Sequence, residues 1–231
     1  MIRLDRVSVV VPPLRQGEPE TVLLHELTLD LPERRIAVIG ANGSGKSTML
    51  RLLNGLREPS SGTVTVQGKD VARDGKAVRR LVGFIFTDPL SQLLMSTPVE
   101  DIELSLRGAI RGKRERLARA QALLDERGLG HVAHQSIYDL SGGERQLVSL
   151  TSVLAVEPEV IVADEPTTLL DLRNKAALRR AFEALDQQLV FSTHDLDFAR
   201  MAERVLVVED GRVVIDAEPD EAIAGYVELM A

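Results

Sequence analysis

Nine consecutive residues, Gly40-Ala41-Asn42-Gly43-Ser44-Gly45-Lys46-Ser47-Thr48, set glycines, one cation and two terminal hydroxyls at the spacing of a phosphate-cradling loop. The glycines let backbone N–H groups converge on phosphate oxygens with no side chain in the way. A helix opening directly after the loop adds the partial positive charge of its N-terminus. Lys46 is placed to neutralise the β and γ oxygens of a nucleoside triphosphate. Ser47 offers a hydroxyl to magnesium. The competing explanation is a chance glycine turn. The short apolar run Arg35–Ile39 before the loop and the helical pattern after it argue against that.

A second cluster fits the same chemistry. Val160-Ile161-Val162-Ala163 is an apolar run that ends in Asp164 and Glu165. Asp164 can hold magnesium directly or through water, and Glu165 can polarise an attacking water or accept its proton. A third, Leu140-Ser141-Gly142-Gly143-Glu144-Arg145-Gln146, opens a helix with Ser141 as N-cap and two bare glycines. By itself it reads equally as an anion site or as a well-capped helix.

The elements that must position these residues alternate. Strands are expected at residues 2–11, Val22–Leu31, Arg35–Ile39, Thr63–Val66, Leu81–Phe86, Val160–Ala163, Leu189–Ser192 and Val205–Val208. Pro12, Pro13, Gly17 and Pro19 mark a loop, and a turn-rich polar stretch separates the fourth strand from the fifth. Helices are expected at Ser47–Leu56, near Arg173–Leu185 and Leu196–Ala202, and at Pro219–Met230, with a hairpin about Gly211. Strand–helix alternation implies an α/β fold with a mostly parallel sheet. From Pro89 to Glu157 the pattern is almost wholly helical, so residues 89–157 read as a helical subdomain inserted in one nucleotide-binding domain spanning 1–231.

Composition narrows the role. The chain has 231 residues, enough for one α/β domain with an insertion, and 44% hydrophobic content supports a real core. Aromatic residues make up 3% and the net charge is −7, which speaks against a nucleic-acid partner. The basic run Arg111–Arg119 reads as a solvated helix face. With no cysteine, disulfides, thiolate metal sites and cysteine nucleophiles are excluded. The N-terminus lacks signal-peptide architecture, and no run reaches the ~20 apolar residues of a membrane span.

As a set, GANGSGKST, LSGGE, VIVADEP and a later His194 resemble the ATP-binding-cassette ATPases, in the family's order and over essentially the whole chain. The resemblance implies a P-loop core with an N-terminal antiparallel β part, and ATP and Mg2+ as ligands. It makes Glu165 the catalytic carboxylate, Asp164 with Ser47 the magnesium residues, and His194 the γ-phosphate switch. It also implies that Ser141, Gly142, Gly143 and Glu144 complete the site of a second subunit, with Asp171 in the loop that crosses the dimer interface. His25, His131 and His134 match nothing in the pattern and read as structural.

Two positions depart from it. The family usually places a glutamine where Thr87 stands, which leaves metal sensing from this loop open; Gln92 is available for partner coupling instead. The family often stacks adenine on an aromatic residue near the end of the first strand, where Val11 stands, so base contact is expected to be apolar.

The segments Thr87–Leu93 and Thr97–Ile102 resemble the loop and coupling helix of energy-coupling-factor ATPases, and Asp164–Asn174 is most similar to the biotin-uptake type. That resemblance implies work at the cytoplasmic face of the membrane, with a transmembrane coupling protein and a substrate-binding membrane protein. The alternatives are an ATPase for another vitamin or for cobalt or nickel, a soluble cassette ATPase of iron–sulfur cluster assembly, and a dimerisation module with negligible turnover.

Overall fold

A computed structural model describes residues 1–13 and 19–231; the expected loop position Gly17 lies outside them. Two sheets carry the architecture. Strands β1 (Ile2–Val11), β2 (Thr21–Leu31), β4 (Ser61–Val66) and β5 (Lys69–Asp70) form an antiparallel sheet in the order β2-β1-β4-β5. Strands β3 (Arg35–Ile39), β6 (Val82–Ile85), β7 (Val160–Ala163), β8 (Gln188–Ser192), β9 (Arg204–Glu209) and β10 (Arg212–Ala217) form the second, ordered β10-β9-β3-β8-β7-β6. All of its pairings are parallel except the β9–β10 hairpin.

The two sheets differ in sequence for a physical reason. β3, β7, β8 and β9 are buried on both faces and are therefore continuous apolar runs. One apolar cluster joins Ile2, Leu4, Val64 and Val66 of the first sheet to Ile36, Val38, Val162 and Leu206 of the second. A second cluster lies on the other face, where Phe182, Phe191 and Phe198 meet edge to face.

Helix α1 is Lys46–Leu52, ending four residues before its pattern suggests. Beyond it, the N–H of Leu53 bonds Leu50 and that of Gly55 bonds Leu52, so the turn tightens and Gly55 leaves the helix at φ 71°. The polar stretch before β6 contains a helix, α2 (Gly75–Leu81), that the sequence pattern hides: its one buried residue is Val78, too few to set a period. Helices α3 (Pro98–Ser105), α4 (Lys113–Glu126) and α5 (Gly142–Leu154) follow, with single turns at Pro89–Ser91, Leu106–Gly108 and Gly130–Val132. They close a third apolar cluster about Ile102, Leu124 and Val148. The remaining helices are α6 (Leu172–Glu183), the short α7 (Leu196–Ala199) and α8 (Pro219–Leu229).

One basic residue is not on a solvated face. The Arg116 side chain, 12% exposed, lies 2.6 Å from Glu103 and also donates to the carbonyls of Ile110 and Arg111. Glu103 on α3 is itself buried, so this pair ties α4 to α3. The hydrogen bond from Arg116 holds the Glu103 carboxyl below the usual range, against the opposing effect of burial.

Candidate functional site

The parallel order places the C-terminal ends of β3, β8 and β7 side by side, where open α/β sheets bind their ligands. β3 runs into the loop Gly40–Gly45, and α1 begins at Lys46. Lys46 is 5% exposed, and its Nζ donates to the carbonyls of Gly40 at 2.8 Å and Ala41 at 2.9 Å. These bonds hold the ammonium folded back over its own loop.

The end of β7 supplies Asp164, 2% exposed. Its Oδ1 accepts from Ser47 Oγ at 2.8 Å and from Ser192 Oγ at 2.9 Å, and its Oδ2 lies 3.9 Å from Arg51. The next residue, Glu165, has φ 49°, a left-handed conformation that costs a non-glycine residue about 1–3 kcal/mol and clusters at functional sites. Its N–H donates to Ser192 Oγ. Its Oε2 accepts from the His194 backbone N–H at 3.2 Å and lies 2.8 Å from His194 Nδ1. Its Oε1 is buried without a hydrogen bond, 3.7 Å from Lys46 Nζ. An ionised carboxylate only accepts, so this geometry assigns the ring proton to Nδ1 and leaves Nε2 free.

The cleft over the loop is lined by Asn42, Gly43, Gly45, Lys46, Ser47, Thr48 and Glu165, with Leu23 as its apolar member. Ser44 is buried, its Oγ has no partner among the described residues, and its carbonyl accepts from Gly211 N–H. The hydroxyl of Ser47 and the carboxylate of Asp164 make a hard oxygen pair. Magnesium bound chiefly by substrate phosphates needs no more than one or two such ligands, so the residues present fit it.

The signature residues lie apart from this cleft. Ser141 caps α5 through a reciprocal capping box: Glu144 N–H donates to Ser141 Oγ, and Ser141 N–H donates to Glu144 Oε2 at 2.8 Å. Hydrogen bonds from Ser141 hold the Glu144 carboxyl below its ordinary range, with a smaller effect from His131, whose Nε2 lies 3.3 Å from Oε1. Gly143 is required here, because a Cβ would collide with the Asn174 side chain. Asp171 caps α6 by accepting from Asn174 N–H at 2.8 Å, so the start of α5 and the start of α6 meet at Asn174. Beside them Leu169 and Leu172 are 65% and 85% exposed.

Thus one group of expected residues, Gly40–Thr48 with Asp164, Glu165 and His194, meets within the chain. The other, Ser141–Glu144 with Asp171, forms a separate exposed face. One contributor was not singled out from sequence, and two that were, Thr87 and Gln92, have backbone partners. Ser192 bonds both Asp164 and Glu165; the only signal was a hydroxyl ending an apolar run. Thr87 donates to the Asp164 carbonyl at 2.8 Å, so its proton is committed to the backbone. Gln92 spans from Phe86 N–H, at the end of β6, to the Ser149 carbonyl within α5. Val11 pairs with Thr21 at the end of β1 and is not among the cleft's lining residues.

Residues 24–168 match the sequence profile of the ABC transporter family. The chain is 43% identical over 210 residues to the biotin transport ATP-binding protein BioM of Rhizobium etli, covering 91% of this chain and 93% of that one. It is 35% identical over 212 residues to the energy-coupling factor transporter ATP-binding protein EcfA1 of Lactiplantibacillus plantarum, covering 89% and 75%. Its fold is similar to a dimeric ATP-binding cassette in a post-hydrolysis state with ADP and phosphate: TM-score 0.81, 30% identity, 95% of this chain and 99% of that one.

Proposed function

The chain belongs to the ABC transporter family as an ATP-binding subunit that hydrolyses ATP, and on that premise we propose that it powers an energy-coupling-factor importer of a micronutrient, biotin first. The convergence of Glu165, His194 and Lys46 on one cleft is the observation that supports turnover. The relation to a biotin transport ATP-binding protein of Rhizobium etli supports the substrate.

The proposed mechanism uses this chain's own groups. ATP phosphates take the place of the Gly40 and Ala41 carbonyls as acceptors for Lys46. Ser47 and Asp164 would hold magnesium, which would supply charge neutralisation to the bound phosphates. Glu165 orients the attacking water through Oε1 and takes its proton, while His194 Nδ1–H fixes Oε2 and leaves Nε2 for the γ-phosphate. Ser141, Gly142 and Gly143 of a second copy close the cleft. Loss of the γ-phosphate then releases that copy. Residues 89–157 act as a subdomain that passes the motion to a transmembrane coupling protein and a substrate-binding membrane protein. No described helix is long and apolar enough to cross a membrane, so the chain works in this reading as a peripheral subunit at the cytoplasmic face.

Affinity purification of the chain from membranes tests the reading. Two integral membrane proteins should accompany it, and deleting its gene should abolish uptake of labelled biotin. Recovery of iron–sulfur scaffold proteins would replace the transport reading; uptake of another vitamin or of cobalt or nickel would replace biotin alone.

A further inference from the structure

All seven aromatic residues, two Tyr and five Phe, lie at or after position 84. The antiparallel sheet beside the phosphate loop therefore contains no Phe, Tyr or Trp ring on which a base can stack, and its one imidazole, His25, is engaged with Arg212. What it offers instead is Leu23 on β2. This residue is partly buried, packs on the main core cluster, and supplies the apolar lining of the cleft among the described residues.

Its placement is built rather than incidental. The Leu23 carbonyl would stand 3.0 Å from a Cβ at Gly45 and 2.7 Å from one at Gly211. Both glycines have positive φ, 112° and 71°. Gly45 is the last loop residue before Lys46. Gly211 turns the β9–β10 hairpin, and its N–H donates to the Ser44 carbonyl. Two glycines thus let β2 and the hairpin press Leu23 against the end of the phosphate loop. His25, two residues on along β2, is tied to this hairpin. Its N–H donates to Gly211 O, and its Nδ1 lies 2.8 Å from Arg212.

We infer that Leu23, and not Val11, is the nucleoside-contacting residue of this ATPase, an aliphatic platform that holds the base without ring stacking and so discriminates weakly between adenine and guanine. The inference rests on the ATP-binding reading and deepens it. A nucleotide whose phosphates occupy the loop must extend its nucleoside along the cleft wall, and among the described residues the apolar wall is Leu23. An aliphatic surface recognises the apolar face that all bases share. Discrimination between bases needs edge-directed hydrogen bonds, and an alkyl group supplies none.

Equilibrium binding of ADP, GDP, CDP and pyrophosphate to the full chain tests this. ADP and GDP should bind within about threefold of one another, since only polar edge contacts separate them strongly. Leu23→Ser should weaken all three nucleotides by about fivefold, the scale of one or two lost methylene contacts, and leave pyrophosphate unchanged. Val11→Ser should leave every ligand unchanged. Leu23→Tyr should favour the purine nucleotides over CDP by adding a stacking face. The inference is overturned if Leu23→Ser leaves nucleotide affinity intact, if it weakens pyrophosphate equally, or if ADP binds more than tenfold tighter than GDP. Failure of the wild-type chain to bind ADP at all would instead sink the ATP-binding reading itself.

Discussion

The two halves of the site are built to different degrees of completion. At the sheet edge, Ser192 bonds Asp164 and Glu165, Ser47 bonds Asp164, and His194 bonds Glu165, so five residues lock one another within one chain. At the signature, Ser141 and Glu144 satisfy each other and the helix end, with exposed His131 beside Glu144, on an exposed surface flanked by Leu169 and Leu172. The first half is pre-organised for chemistry. The second is a locally satisfied helix cap that, in the proposed mechanism, acts on another chain's nucleotide. Damage to the first should therefore stop turnover in the chain that carries it; damage to the second should spare nucleotide binding and act only through the dimer.

The largest effect should come from Glu165→Gln, which keeps the shape and removes the base. Turnover should fall about 10³-fold, and an ATP-bound dimer should accumulate on size-exclusion chromatography. Unchanged turnover would remove Glu165 from the mechanism. Next is Gly143→Ala, which forces Asn174 away from the start of α5. Turnover should drop by about a hundredfold, the scale of a small misplacement of a positioning group, while ADP affinity of the isolated chain stays within about twofold. A matching loss of ADP affinity would erase the distinction between the two halves.

The helical region that carries the signature has its own buried tie, Glu103 to Arg116. Because the Glu103 carboxyl is held below its ordinary range by Arg116, its stabilising effect is complete above that range and is lost as pH falls through the depressed native value. Thermal melts of Glu103→Gln should show a lower Tm at neutral pH, with the gap to wild type narrowing below about pH 4.5. A gap that is constant with pH would show that the carboxylate's charge is irrelevant. The smallest effect belongs to His131→Ala. His131 is exposed beside Glu144, and exposed pairs contribute about 0–1 kcal/mol. Turnover should change less than about twofold; a larger change would make His131 part of the signature's function rather than its surroundings.

Much of the fold was readable because it rests on local pattern. β3, β7, β8 and β9 are continuous apolar runs, and only a strand buried on both faces needs that composition. The glycine loop and the Ser141–Glu144 capping box are likewise short-range signals. α2 was hidden because a single buried valine sets no period. Arg116 was misread because its partner Glu103 is thirteen residues away, and its neighbours Arg114 and Arg119 do face solvent. The roles of Ser192 and Thr87 depend on which strands are neighbours: Ser192 touches Asp164 only because β7 and β8 pair in register, Ala163 opposite Phe191.

By itself the sequence determined the residue types on which the chemistry depends: the phosphate loop, the acidic pair after β7, the histidine after β8 and the capped signature helix. Each is encoded within a few consecutive residues, where spacing and backbone propensity suffice. The tertiary structure alone decided which of these meet. Parallel pairing of β3, β8 and β7 carried Lys46, His194 and Glu165 to one edge, while the insertion of α3 to α5 held Ser141 elsewhere. Long-range strand order is a property of the whole buried core. It was that order which separated a half-site complete in one chain from a half-site presented outward.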